Sequence, residues 1–169
     1  MALPCNFPFF SIVLSMMSGI VSSVLPGKWA RRVTMALLGV VTILSGGVLL
    51  YTLQTGSFTF SMGKFPAPWG NELRGGPLEG VLALFFSLVM LLSLIGGKQH
   101  IDAEVDKSRV SLYFIMCDLM LASLLALIYT NDLFTAYVFV EINTISACGL
   151  IMVRQIGRTY VAAARYMVM

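Results

Sequence analysis

The stretch VSLYFIMCDLMLASLLALIYTNDLFTAYVFVEINTISACGLIMV, residues 110–153, decides the fold. It contains two uncharged runs, Val110–Tyr129 and Leu133–Val153, that are broken only by Asp118, Glu141 and the polar corner Thr130-Asn131-Asp132. A bilayer core of about 30 Å takes about 20 apolar residues per helix, so each run predicts one transmembrane helix and the corner predicts a tight antiparallel turn. The same count applied outward finds runs at about 8–25, 33–54 and 78–96, and a sixth from about 159 to 169 that covers roughly half a span. The expected fold class is therefore all-α: a polytopic transmembrane helix bundle, with five complete helices, the start of a sixth and no domain boundary.

Composition agrees. Of 169 residues, 58% are hydrophobic and 11% charged, the mean hydropathy is +0.88 and the formal charge is +3. These values exclude a water-soluble globule, a disordered chain and a nucleic-acid footprint. The first run is read as a retained helix, not a secretory signal, because Lys28, Arg31 and Arg32 follow it instead of preceding it. With the N-terminus outside, eight of the eleven Lys and Arg (Lys28, Arg31, Arg32, Lys98, Lys107, Arg109, Arg154 and Arg158) fall in inner loops, against Lys64 and Arg74 outside and Arg165 within the sixth run. The positive-inside rule selects that orientation.

Between the second and third runs, FTFSMGKFPAPWGNELRGGP predicts short extended or hairpin-like structure on the outer surface, since Pro66, Pro68, Gly75 and Gly76 break helices. Trp69 outside and Trp29 inside fit interfacial anchors. The inner loop GGKQHIDAEVDKSR, which holds His100, reads as a solvated connector. Cys5, Cys117 and Cys148 show no CxxC pattern and His100 has no second imidazole nearby, so no metal or redox cofactor is expected. Cys117 and Cys148 are expected to pack as small hydrophobes. The pairs Ser18/Ser22 and Gly19/Ser23 suggest close helix packing. No nucleophile, metal set or nucleotide loop can be assembled, so the chain itself carries no catalytic chemistry.

An ionisable group inside hydrocarbon costs several kcal/mol, about 2.5 to 3.5 on insertion scales, which makes Asp118 and Glu141 the candidate functional residues. Both lie about 13 Å into their helices, near the bilayer midplane. Spacings of three, four and seven put Tyr137, Thr144 and Cys148 on the Glu141 face, which is expected to look into the protein. Glu141 is then either a proton carrier or a clamp between helices. Asp118, on a face with Ser111, Ala122 and Tyr129, carries the same two readings. Arg165, about 10 Å into the sixth helix, either snorkels to the interface or pairs with a carboxylate such as Glu141.

The string NDLFTAYVFVEINTISACGLIM resembles the helix-five motif of the proton-conducting membrane subunits shared by respiratory complex I, membrane-bound hydrogenases and Mrp-type cation/proton antiporters. Asp132, Leu133, Phe134, Tyr137, Val138, Phe139 and Glu141 match its D-L-F-x-x-Y/F-V-F-x-E pattern. FPAPWGNELR resembles the family's outer loop, and AAARYMVM the start of its sixth helix. The resemblance implies that Glu141 is the glutamate of a proton path, partnered by a lysine on a seventh helix that this chain does not contain. It implies that the chain is the amino-terminal portion of a longer subunit, in the cell inner (plasma) membrane with other subunits of a multisubunit complex, moving protons with or without Na+. Two positions depart from the family: Arg165 stands in place of a lysine, and Gly76, with Glu79 following, where an acid commonly opens helix three. Asp118 matches no position of the motif. A membrane scaffold that moves no ions is the rival expectation.

Overall fold

The computed structural model describes residues 3–61 and 72–168. After a 3-10 turn at Leu3–Asn6 come α1 (Phe7–Val24), α2 (Gly27–Thr55), the strands β1 (Phe58–Ser61) and β2 (Glu72–Gly75), then α3 (Pro77–Gly96), α4 (Lys98–Glu104), α5 (Val110–Tyr129), α6 (Leu133–Met152) and α7 (Gly157–Val168). Five of these helices, α1, α2, α3, α5 and α6, are long and apolar enough to cross a membrane. The chain is a multi-pass membrane protein.

Each end has a local cause. Helix α1 stops because the residue before a proline is driven to extended backbone, and Leu25 sits at ψ 146° ahead of Pro26. Helix α2 starts immediately after, at Gly27, six residues earlier than the uncharged run suggested, so Arg31 and Arg32 belong to the helix and not to a loop. The reason is length: 29 residues make a rod of about 44 Å, which outreaches the hydrocarbon and carries its basic first turns into the headgroup layer. Gly27 permits the turn to lie against α5, where a Cβ would come within 2.9 Å of the Val110 Cβ. At its far end α2 terminates on Gly56, whose φ of 89° suits a residue without a Cβ.

Strands β1 and β2 pair antiparallel, from Phe58 opposite Gly75 to Ser61 opposite Glu72, giving the hairpin that the Gly- and Pro-rich loop predicted. Lys64, Pro66, Pro68 and Trp69 lie outside the described residues. The hairpin is tied to the α5–α6 corner: the Asn131 amide N–H donates to the Glu72 carbonyl at 2.9 Å, and the Asn131 side chain donates to the Glu72 carboxylate at 2.8 Å. A Cβ on Gly76 would lie 2.5 Å from Glu79 Oε2, so a larger residue here would displace the Glu79 carboxylate. The acid that follows Gly76 thus occupies the space a larger residue would take, and it pairs with Arg74 at 3.8 Å.

Helix α5 is the centre. It packs against α1, α2, α3 and α6, and buries Phe114, Cys117, Leu121, Leu125, Ala126 and Tyr129. Among the described residues helix α6 packs chiefly on α5 and α7, which leaves it at the edge. Helices α2 and α3 approach closely at Gly80, where a Cβ would stand 3.0 Å from Leu49 Cα. Since that neighbour is backbone, Gly80→Leu must push the two helices apart, at an expected cost of about 1–3 kcal/mol. Thermal unfolding in detergent checks this, with Gly39→Leu as the neutral control because nothing stands within 4 Å of a Cβ there.

Candidate functional site: two membrane carboxylates

Asp118 is fully buried on α5, about 12 Å from the start of that helix. Its Oδ2 accepts three hydroxyl bonds, from Ser18 at 2.7 Å and Ser22 at 3.4 Å on α1 and from Thr34 at 3.0 Å on α2. Its Oδ1 is equally buried and has no hydrogen-bond partner among the described residues. Gly19 lies beside this convergence, where a Cβ on it would make an ordinary contact with Asp118 Cβ at 3.7 Å. The small-residue pairs that the sequence suggested for packing therefore also deliver donors to a buried acid. Below the cluster, Ser111 donates to the Ser22 carbonyl at 2.5 Å and seals α5 to α1.

Glu141 has a different environment. The expectation that its face looks into the bundle holds for only part of that face: Cys148 is buried and Thr144 half-buried, with its hydroxyl bonded back to the Val140 carbonyl at 2.9 Å. Glu141 itself is exposed, as are Phe134 (76%), Tyr137 (64%) and Ile145 (57%) around it. The carboxylate interacts with the Tyr137 hydroxyl one turn away. The physical reason is that polar residues are spread around α6 with little amphipathic contrast, so periodicity could not tell which side meets α5 and α7, and the opposite side is left uncovered by the described residues. Glu141 is thus not a buried glutamate here; the buried acid is Asp118.

Arg165 on α7 is also exposed, and among the described residues it belongs to no ion pair. The pairing with Glu141 is not formed in this chain. Asp132, the first residue of the motif, is the N-cap of α6: its carboxylate accepts from the Thr135 amide at 3.0 Å and from the Thr135 hydroxyl at 2.6 Å. Those bonds, the hydroxyl's first, hold the Asp132 carboxyl below its usual range. Leu133 and Phe134, which follow in the motif, are exposed.

The arginine-rich end of the bundle is more organised than a solvated connector. Within that loop α4 carries Asp102, which takes both guanidinium nitrogens of Arg31, and Glu104, which pairs with Arg154 at 3.3 Å. His100 is exposed there, and Trp29, exposed at the start of α2, lies under the Arg32 guanidinium at 5.0 Å. Hydrogen bonding from Arg31 lowers the Asp102 pKa from its ordinary 3.8. A lowered folded pKa means that the pair stabilises the fold above about pH 4 and that this contribution disappears as pH falls through the lowered value. Asp102→Asn should accordingly narrow its stability gap to the natural protein in strong acid, and also at high salt, because the pair is solvent-screened. Unfolding midpoints measured against pH and salt check this. Among the described residues no group of three or more His, Cys, Asp and Glu side chains could hold a metal ion.

No family model matches the chain. Individual proteins do. The chain is 34% identical over 126 residues, 73% of its length, to NADH-quinone oxidoreductase subunit N of Desulforudis audaxviator (strain MP104C), of which it covers 25%. It is 27% identical over 149 residues, 87% of its length, to a subunit of the Na(+)/H(+) antiporter of Bacillus subtilis (strain 168), of which it covers 30%. The chain therefore spans between a quarter and a third of the length of these relatives. Two solved structures share its fold over 99% of its residues and about a third of their own: the Mrp complex from Dietzia sp. DQ12-45-1b, with a TM-score of 0.85 at 18% identity, and the archaeal membrane-bound sulfane sulfur reductase, with 0.80 at 21%. In sequence and fold the chain is similar to antiporter-like membrane subunits, among them subunit N of NADH-quinone oxidoreductase and a subunit of the Na(+)/H(+) antiporter.

Proposed function

We propose that this chain serves proton translocation as part of an antiporter-like subunit of a membrane redox or cation/proton antiporter complex, with Glu141 as the proton carrier. One observation carries the reading: a carboxylate on the uncovered, otherwise apolar side of an edge helix, with the Tyr137 hydroxyl beside it. Facing lipid, that acid would cost about 2.5–3.5 kcal/mol, so its working environment is further polypeptide that brings water, a proton or a countercharge to it. Arg165 acts as a fixed positive charge near the path, because a guanidinium hardly deprotonates, and Thr144 lines the same side. The partners are other membrane subunits, and the coupled ions are protons with or without Na+.

The location that follows is the inner (plasma) membrane with the N-terminus outside. Eight of the eleven basic residues gather at the end of the bundle where α1 meets α2, α3 meets α5 and α6 meets α7, which supports the positive-inside orientation. The test is Glu141→Gln in the complete natural subunit, assayed in membrane vesicles for proton movement and for assembly. Loss of proton movement with normal assembly supports the carrier. Unimpaired movement overturns it, and loss of assembly alone supports the scaffold instead.

A further inference from the structure

We propose that Asp118 is a second proton-exchange site, separate from Glu141 and loaded past Phe114 from the arginine-rich end of the bundle. The first observation is the asymmetry of its hydrogen bonds. Three hydroxyls from two neighbouring helices converge on Oδ2, while Oδ1 is buried with no partner among the described residues. A clamp joining α1, α2 and α5 needs only a neutral acceptor, which Asn provides without the cost of an acid in hydrocarbon. What a carboxyl adds is an oxygen that can take and release a proton, and Oδ1 is the oxygen left free to do so.

The second observation is that no countercharge pairs with Asp118 among the described residues. Facing Asp118 are Ser18, Gly19 and Ser22 from α1 and Thr34 from α2, with Cys117 beside it on α5 itself. The nearest cation in sequence on these helices, Arg31, lies one turn from Thr34 and is occupied by Asp102. The negative form is thus supported by hydroxyls alone, and the neutral form by a proton from water.

The third observation is a route. Arg31 and Asp102 line a cavity of about 560 Å³, together with Lys28, Trp29, Val105 and Lys107, at the headgroup end of α2. The Arg31 guanidinium stands 5.6 Å from the centre of the Phe114 ring. Phe114 is four residues from Asp118 on the same face of α5 and is 1% exposed, so a buried aromatic ring stands on the acid's own helix face next to an arginine that lines the cavity. When that ring turns aside, a hydronium in the cavity gives its proton to Oδ1: one O–H bond breaks, one forms, and water remains. Reversal empties the site to the same side. The hydroxyl cluster favours the charged form and so keeps the site able to release.

Infrared difference spectroscopy on the complete natural protein in membranes tests this, stepping the pH and following the carboxylic C=O signal. A Glu141→Gln background removes that carboxyl from the signal, and the difference made by Asp118→Asn assigns what is left, so this result does not depend on the Glu141 reading. The expected result is a C=O signal that rises and falls between about pH 5 and 9 and is missing in Asp118→Asn. Should Asp118→Asn fail to fold, Ser18→Ala/Thr34→Val keeps the acid and removes two donors to its charged form, which should raise the midpoint by about one pH unit. Phe114→Ala should speed proton exchange at this signal by about ten-fold or more. A C=O signal that is constant over that range, or a midpoint indifferent to the two hydroxyls, overturns the site; exchange unchanged in Phe114→Ala overturns the route.

Discussion

Glu141→Gln is expected to lower the proton-transfer rate of the complete subunit by about 10²-fold or more, with the subunit still inserted and assembled. The magnitude follows from what a positioned acid or base contributes to proton transfer, about 10² to 10⁴. Gln keeps the length, the carbonyl acceptor and a partner for the Tyr137 hydroxyl, but offers no exchangeable proton site near neutral pH. Glu141→Asp keeps the proton and withdraws it by one methylene, so it should fall between the two. Tyr137→Phe removes one hydroxyl and should be milder than either. This ordering separates carrier from clamp: if Glu141 only holds helices together, Gln should nearly replace it and Asp should be worse than Gln.

The two acids show why one part of the site was legible and the other was not. Both stood out in sequence for one reason, an ionisable group within an apolar run. What each would meet depended on neighbours that lie far away in the chain. The Asp118 partners are 84 to 100 residues away, on α1 and α2. A signal for them did exist: Ser11, Ser15, Ser18 and Ser22 recur at spacings of four, three and four, a polar stripe along an otherwise apolar helix, and all four are buried. Read as packing residues, they concealed two donors. For Glu141, the spacing rule groups it with Tyr137, Thr144 and Cys148, but α6 has little amphipathic contrast, and while Cys148 is buried against α7, Glu141 and Tyr137 are exposed among the described residues.

The elements themselves were easier to read, because length and breakers decide them. Pro26 and Pro77 mark helix starts, Asp132 caps α6 with its own carboxylate, and Gly56 ends α2 with a backbone that other residues resist. The missed features are at the arginine-rich end. A run of charges there reads as loop, yet a helix that overruns the bilayer carries basic residues comfortably in its first turns. Short α4 follows from the same cause, since Asp102 and Glu104 reach back to Arg31 and Arg154 and make that connection part of the fold.

Asp118→Leu should cost the helix bundle about 2–5 kcal/mol, taking each of its three interhelical hydroxyl contacts at about 0.6 to 1.7 kcal/mol in a bilayer. The price of placing an acid in hydrocarbon does not offset this loss. In the separated, inserted helices Asp118 is no better served than in the bundle, so its need for donors is itself a drive to bring α1, α2 and α5 together. Leucine removes that drive. Ser18, Ser22 and Thr34 are not stranded in the variant, because each can turn to a carbonyl of its own helix, as Ser15 does toward Ser11 at 2.8 Å. The loss is therefore one of attraction between helices and not of buried unpaired donors, and Asp118→Asn, which keeps an acceptor, should recover most of it. Thermal midpoints in detergent separate the cases: natural and Asn forms close together with Leu well below them is the expected order. Equal stability of all three would mean that packing alone, through Gly19 and the apolar face of α5, joins these helices.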